Sequence, residues 1–270
     1  MKTFLAALLT LIIIETQAQP ALEKVWETDS TLAVPESVLV FDGGLYVSLI
    51  DGQPWDDDGK GGIGILDKNG KVVNATWVTG LSAPKGMGLW KKKLYVADVS
   101  RVVVINTANG KIESKINVEG ATNLNDITVD DKGVVYVSDS RQGNVYRIVD
   151  GKPELYIKDL KNVNGLKAVG TDLYLLTAND VFKTDQNKKL VTVATTEIGG
   201  DGIEPVGNGD FVITCWPGLV YHMAKDGKLT TLLDTREQKM NTADIGYDPK
   251  QGIVYVPTFF KKTVIAYRLK

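Results

Sequence analysis

What the chain lacks narrows its chemistry before any motif is read. Its 270 residues include one cysteine, Cys215. No disulfide can therefore form within it, and its stability has to come from an apolar core. It has one histidine, His222, expected as a structural residue on an outer strand. A Ser-His-Asp triad, a Cys-His pair and a histidine-rich zinc site are correspondingly disfavoured. The net charge of −2 lacks the clustered basic excess that a phosphate backbone demands, which argues against nucleic acid as a partner. The one tight basic run, Lys91-Lys92-Lys93, falls where a turn is expected and reads as a solvated loop. Beyond the first residues no segment is apolar for the roughly 20 positions that a membrane helix takes, and no 3.6-residue periodicity competes with the strand pattern described below.

The first segment has the layout of a targeting signal. Lys2 supplies the positive start, Phe4 to Ile14 the apolar stretch, and Thr16-Gln17-Ala18 the small residues of a cleavage site. Residues 1–18 are thus expected to be a cleaved signal peptide. Residues 19–270 would then form a single domain, secreted or periplasmic, with an uncleaved anchor as the alternative. No cysteine follows the apolar stretch, so a lipoprotein anchor is not expected. With 43% hydrophobic and 24% charged residues over its 270 positions, the sequence reads as an ordinary soluble globular protein, expected to be monomeric.

An internal repeat points to the fold. A polar residue, a short apolar stretch, a turn and an aromatic-centred strand recur six times: ESVLVFDGGLYVSL, KGMGLWKKKLYVAD, NDITVDDKGVVYVSD, NGLKAVGTDLYLLT, DGIEPVGNGDFVIT and ADIGYDPKQGIVYVPT. The central aromatics Tyr46, Tyr95, Tyr136, Tyr174, Phe211 and Tyr255 lie 37 to 49 residues apart, near the 40–50 of a propeller blade. Further alternating strands follow, joined at Asn69-Gly70, Asn109-Gly110, Asp150-Gly151 and Asp226-Gly227, the dipeptides of tight hairpins. Four strands in each of six units predict an all-β, six-bladed β-propeller. The sixth unit is one strand short, and LEKVWET from Leu22 is expected to complete it, closing the ring with both termini.

In such a ring the innermost strand of every blade begins at one mouth of a central channel. In register, that places Glu36, Lys85, Asn125, Asn164, Asp201 and Ala243, with Asp244 beside it, around one axis. Loops reaching the same mouth carry Asp51, Trp55, Asp98, Asp139, Arg141, Asn179, Trp216, Phe259 and Lys261. Two carboxylates and two amide oxygens make an all-oxygen set of the kind hard divalent cations prefer. The alternative is a merely solvated channel. Lys85 could repel a cation, pair with Glu36 in its place, or steer an anionic substrate. Trp55 and Trp216 could stack on a sugar ring or simply pack. The loop Asp51 to Gly62 is a weaker calcium candidate, since it lacks the alternation and downstream Glu of an EF-hand. Gly61-Gly62-Ile63-Gly64 does not have the strand-to-helix setting of a dinucleotide site. Asn74-Ala75-Thr76 matches a glycosylation sequon.

The order of these residues resembles the regucalcin/gluconolactonase family of six-bladed propellers over the whole mature chain. The matching segments are Pro35-Glu36-Ser37, Asn125-Asp126, Asn164-Gly165-Leu166 and Asp201-Gly202-Ile203, with Asn125 to Ser140 especially similar. The resemblance implies a metal-dependent lactonase that opens a small, sugar-like lactone at the channel mouth. It implies Glu36, Asn164 and Asp201 as ligands of one divalent cation, calcium first and magnesium, manganese or zinc after it. Asp201 would also serve as general base. The resemblance also places the Asn125-Asp126 pair in the substrate pocket, and from their own places at the mouth Lys85, Trp55, Asp139 and Trp216 are expected to meet substrate as well. The chain departs from the family at Asn123, where many members carry Arg, and at Lys85. A non-catalytic binding module is the principal rival reading. A bond-forming enzyme of the strictosidine-synthase type is a third, although that chemistry wants a Glu in a less polar pocket.

Overall fold

The computed structural model describes residues 19–185 and 187–270; the signal peptide expected over residues 1–18 lies outside the described residues. Every blade is an antiparallel four-stranded sheet. Blade 1 holds β2 (Pro35–Phe41), β3 (Gly44–Leu49), β4 (Gly61–Leu66) and β5 (Val72–Leu81). Blade 2 holds β6 (Pro84–Trp90), β7 (Lys93–Asp98), β8 (Arg101–Asn106) and β9 (Ile112–Asn117). Blade 3 holds β10 (Leu124–Val129), β11 (Val135–Asp139), β12 (Asn144–Val149) and β13 (Lys152–Ile157). Blade 4 holds β14 (Leu166–Val169), β15 (Asp172–Leu176), β16 (Asp180–Thr184) and β17 (Leu190–Thr195). Blade 5 holds β18 (Ile203–Gly207), β19 (Asp210–Cys215), β20 (Leu219–Met223) and β21 (Leu229–Asp234). Blade 6 holds β22 (Gly246–Asp248), β23 (Ile253–Pro257) and β24 (Val264–Leu269), and β1 (Leu22–Glu27) completes it by pairing with β24. The six-bladed all-β propeller and its closure by the N-terminal strand are as the repeat predicts. No helix among the described residues is long and apolar enough to cross a membrane.

The core consists of six wedges, each filled by two neighbouring blades. Val38, Val47 and Leu66 of blade 1 meet Tyr255 and Ala266 of blade 6. On the other side of blade 1, Tyr46 and Ile63 meet Leu94 and Val103 of blade 2. The recurrent aromatic of the second strand is wedge filler: Tyr46 stacks on Phe41 and Trp77, with ring centroids 4.2 and 4.9 Å apart, and Tyr174 meets Phe211 across blades 4 and 5 at 4.5 Å. Because a sheet between two wedges buries both faces, β3 is apolar on both sides rather than alternating. Neither Cys215 nor His222 lines the cavities at the channel axis. The Cys215 thiol is buried, donates to the Ile198 carbonyl at 3.3 Å, and is pushed up to about 12 by that burial. His222 lies on β20 with Nε2 3.3 Å from Asp210 Oδ2.

The inner strands approach one another so closely at the axis that some positions admit only glycine. A Cβ on Gly86 of blade 2 would sit 2.4 Å from Asp126 Oδ1 of blade 3, and one on Gly202 of blade 5 would sit 2.6 Å from the Ile245 nitrogen of blade 6. In both places the missing side chain leaves room for a carboxylate on the next blade.

Candidate functional site at the channel mouth

The inner strands do not start cleanly at the mouth. Register shifts separate Pro35 from Val38, Pro84 from Met87 and Leu124 from Ile127. In blades 4 and 5 the mouth residues Asn164 and Asp201 precede the strands, at Leu166 and Ile203, yet still donate backbone N–H groups to Leu176 and Thr214. Such bulges re-aim side chains at the rims of sheets. In alternate blades a hydroxyl from the second strand fills the gap: Ser48, Ser138 and Thr214 accept the N–H of Ser37, Asp126 and Gly202, each at 2.9 Å. This device carries a signal, a Ser or Thr near the end of each odd second strand, that reading the inner strands alone does not detect.

The bulges aim five polar side chains into one cavity of about 350 Å³. It is lined by Glu36, Lys85, Asn125, Asn164 and Asp201 together with Pro54, Trp55, Trp216, Phe259 and Phe260. Seven of the residues expected at the site thus share one space. Asp139 does not. It is fully buried at the end of β11, and its oxygens accept from the backbone N–H groups of Thr122, Asn123, Arg141 and Gln142. An aspartate that ties a loop in this way has no oxygen left for substrate, so its sequence-based assignment to the pocket is corrected. Asp98 does the same in blade 2, accepting from Ser82 and Ala83.

The acidic loop of blade 1 is likewise committed to protein partners. Asp57 accepts from the Ser82 hydroxyl at 2.5 Å and from the Arg101 guanidinium, and Asp58 lies 2.8 Å from Lys60 Nζ. These ties pin the loop across blade 2 and set Trp55 over the channel. Lys85 Nζ lies 4.2 Å from the Trp55 ring centroid and 5.9 Å from that of Phe259, within cation–π range. It also stands 3.5 Å from Glu36 Oε1, both side chains being almost wholly buried. Asn164 Nδ2 donates to Asp201 Oδ1 at 2.7 Å, and Asn125 Nδ2 to Ser140 Oγ at 3.0 Å. Two buried acceptors that line this cavity have no partner: Glu36 Oε2 and Asn164 Oδ1. Burial pushes the carboxyl of Glu36 up against the opposing pull of Lys85, and burial with the Glu36 charge pushes Asp201 well above the ordinary range.

A second polar layer lies below the first, around a cavity of about 160 Å³. Asp126 accepts from the backbone N–H groups of Ile127 and Leu166 at 2.6 Å, and burial still pushes it up to about 8. Ser37 donates to Asp244 at 2.5 Å, Lys167 pairs with Glu204 at 2.6 Å, and Asp244 is likewise held well above its ordinary value by burial and by Asp126. The axis therefore holds five carboxylates, on Glu36, Asp126, Asp201, Glu204 and Asp244, against two ammonium groups. Asp126, which the resemblance places in the substrate pocket beside Asn125, lines this second cavity instead. Lys167 and Glu204 escape the sequence reading because single polar residues on an inner strand look like ordinary alternation.

The rim is strained. Val34 and Val99, both β-branched, hold φ of 57° and 60°, and Phe259 holds 51°; each such backbone costs about 1–3 kcal/mol. All three pack around Ile50, Ala83 and Ala243 directly beside the mouth.

No known family profile matches the sequence, and no curated protein does. Solved structures do share its fold. A structural-genomics protein provisionally named as a gluconolactonase superposes with a TM-score of 0.71 at 15% identity, covering 94% of this chain and 93% of its own. A catalytically inactive virginiamycin B lyase from Staphylococcus aureus with quinupristin gives 0.66 at 14%, covering 93% and 100%. An auxiliary nutrient binding protein from Bacteroides thetaiotaomicron gives 0.69 at 12%, covering 94% and 77%. At these identities the likeness is one of architecture, and architecture alone does not select a function.

Proposed function

We propose that the chain is a metal-dependent hydrolase that opens a small lactone or ester at the channel mouth, outside the cytoplasm. One observation carries this reading: two buried oxygens without partners, Glu36 Oε2 and Asn164 Oδ1, share a cavity with Asp201. Buried acceptors are almost always satisfied, and the excess of carboxylates over ammonium groups along the axis makes a cation the fitting partner. The donors are all oxygen, which suits calcium before zinc. Glu36, Asn164 and Asp201 would hold the ion, which when bound would polarise a substrate carbonyl and make a water more acidic.

The chain's own groups supply the rest. The Asn125 amide stands across the cavity as a hydrogen-bond donor for a substrate oxygen. Lys85 offers positive charge to the carboxylate that ring opening releases. Asp201 has one oxygen engaged by Asn164 and the other free to take a proton from water. The lyase that shares this architecture carries a histidine substitution in its inactive form; the sole histidine here, His222, belongs to neither polar layer. The experiment is a pH-stat assay of calcium-loaded protein on a lactone panel. Turnover that is lost on chelation, and reduced at least a hundredfold in Asp201→Asn, supports the reading. Turnover indifferent to both refutes it.

A binding module is the second reading, favoured by Lys85 itself. Its ammonium lies against Glu36 and Trp55 and can serve as the cation of the site without a metal. A protein of that kind binds ligand unchanged after chelation.

A further inference from the structure

Among the exposed large apolar residues of the described chain, the aromatic ones are Trp55, Trp216 and Phe260, and all three line the mouth cavity. The others are aliphatic, and scattered residues of that kind are normal on a protein surface. The three aromatics sit on the second-to-third-strand loops of blades 1, 5 and 6, which are neighbours around the ring. On the opposite half of the mouth, the corresponding loops of blades 2, 3 and 4 are short and carry no aromatic residue.

The apolar half is a braced wall. Trp216 meets Phe259 and Phe260 edge-on with centroids 5.6 and 6.0 Å apart, and the two phenylalanines meet at 4.7 Å and 87°. Phe260 nevertheless remains 59% exposed and Trp216 39%, so a broad apolar face is left open towards the cavity. Phe259 and Phe260 offer no hydrogen-bonding side-chain atom. Hydroxyls directed at these two rings would go unmatched, whereas a hydrocarbon body laid against them would be sheltered from water. The polar groups are confined to the floor.

We infer that the cavity takes a lactone or ester with an alkyl or aryl body, its carbonyl on the polar floor and its body on the wall of Trp216, Phe259 and Phe260. Sugar-like lactones fit this wall poorly. That the ligand is cleaved rests on the hydrolase reading above; that its body is apolar does not. The test pairs δ-decanolactone and dihydrocoumarin with glucono-δ-lactone as substrates of the calcium-loaded protein. It adds 2-indanone, a cyclic ketone with no ester to hydrolyse, read by quenching of tryptophan fluorescence. The expected kcat/KM for the two apolar lactones exceeds that for glucono-δ-lactone by about tenfold or more, and Phe260→Ala lowers that ratio about tenfold. Phe260→Leu restores most of it, and unchanged melting shows that both variants fold. If no lactone is cleaved yet 2-indanone binds and Phe260→Ala weakens its binding about tenfold, the apolar ligand stands and the hydrolase reading falls. A preference for glucono-δ-lactone, or 2-indanone binding indifferent to Phe260→Ala, overturns the inference.

Discussion

Replacing Lys85 by methionine is the sharpest perturbation of the axis. The substitution keeps an unbranched apolar stem but removes the ammonium that lies 3.5 Å from Glu36 Oε1 and 4.2 Å from the Trp55 ring centroid. Glu36 Oε2 already has no partner, so both oxygens would then be buried and unmatched. Breaking one side of a buried ion pair typically costs about 3–5 kcal/mol. For a domain of this size each kcal/mol moves the melting temperature by about 2–4 °C, so chelator-treated Lys85→Met should melt roughly 6–20 °C below the parent. Protonation gives Glu36 an escape. Its folded-state pKa rises further without Lys85, so the loss should be larger at pH 8 than at pH 5. The double variant Lys85→Met with Glu36→Gln should recover most of the loss at pH 8, and millimolar calcium should restore the single variant. Thermal melts at both pH values provide the assay. A chelator-treated single variant within about 1 kcal/mol of the parent at pH 8, a gap that two-fold scatter in such contributions cannot explain, would refute the idea that this pair governs the charge of the mouth.

Three further outcomes are expected. In chelator, the protein should lose stability as pH rises from about 4 to about 8, because burial raises Asp126 to about 8 and the folded state therefore holds its proton more tightly than the unfolded chain; Asp126→Asn should flatten that slope in melts across the range, and a constant offset between the two proteins would contradict it. Gly202→Ala should destabilise the fold by about 1–3 kcal/mol in urea titrations, as overpacking does, since its Cβ would lie 2.6 Å from a backbone nitrogen of the next blade; an unchanged midpoint would show that blades 5 and 6 separate freely. A chain starting at Asp29 loses β1, the Trp26 ring beside Tyr255 at 5.7 Å and the exposed edge cover of β24, and should unfold without cooperativity or self-associate by light scattering; a sharp monomeric transition would show that the strand closure is dispensable.

The repeat is legible in sequence because each wedge needs a large side chain at the same place in the second strand, and because tight hairpins admit few dipeptides. Tyr46, Tyr174 and Phe211 therefore mark the blades, and Asn109-Gly110 or Asp150-Gly151 mark the outer turns. The register of the mouth follows from the same repeat, which is how Glu36, Asn164 and Asp201 are found although long stretches of chain separate them. Asp139 shows the limit of the method. An aspartate at the end of a second strand looks the same whether its carboxylate faces the channel or ties down its own loop, and only the backbone N–H groups around it decide. Lys167 and Glu204 show another limit, since a lone charged residue on an inner strand looks the same in sequence whether it faces the channel or solvent. Phe260 stands on a short loop whose direction no periodicity encodes.

The most direct test of the central claim is the divalent-metal content of the purified protein after equilibrium dialysis against calcium, set beside Asp201→Asn. One ion per chain in the parent, lost in the variant together with the calcium-dependent rise in melting temperature, is the predicted result. No bound ion in the parent, with melting unmoved by calcium or chelator, would contradict the metal-dependent account and leave Lys85 as the only cation of the mouth.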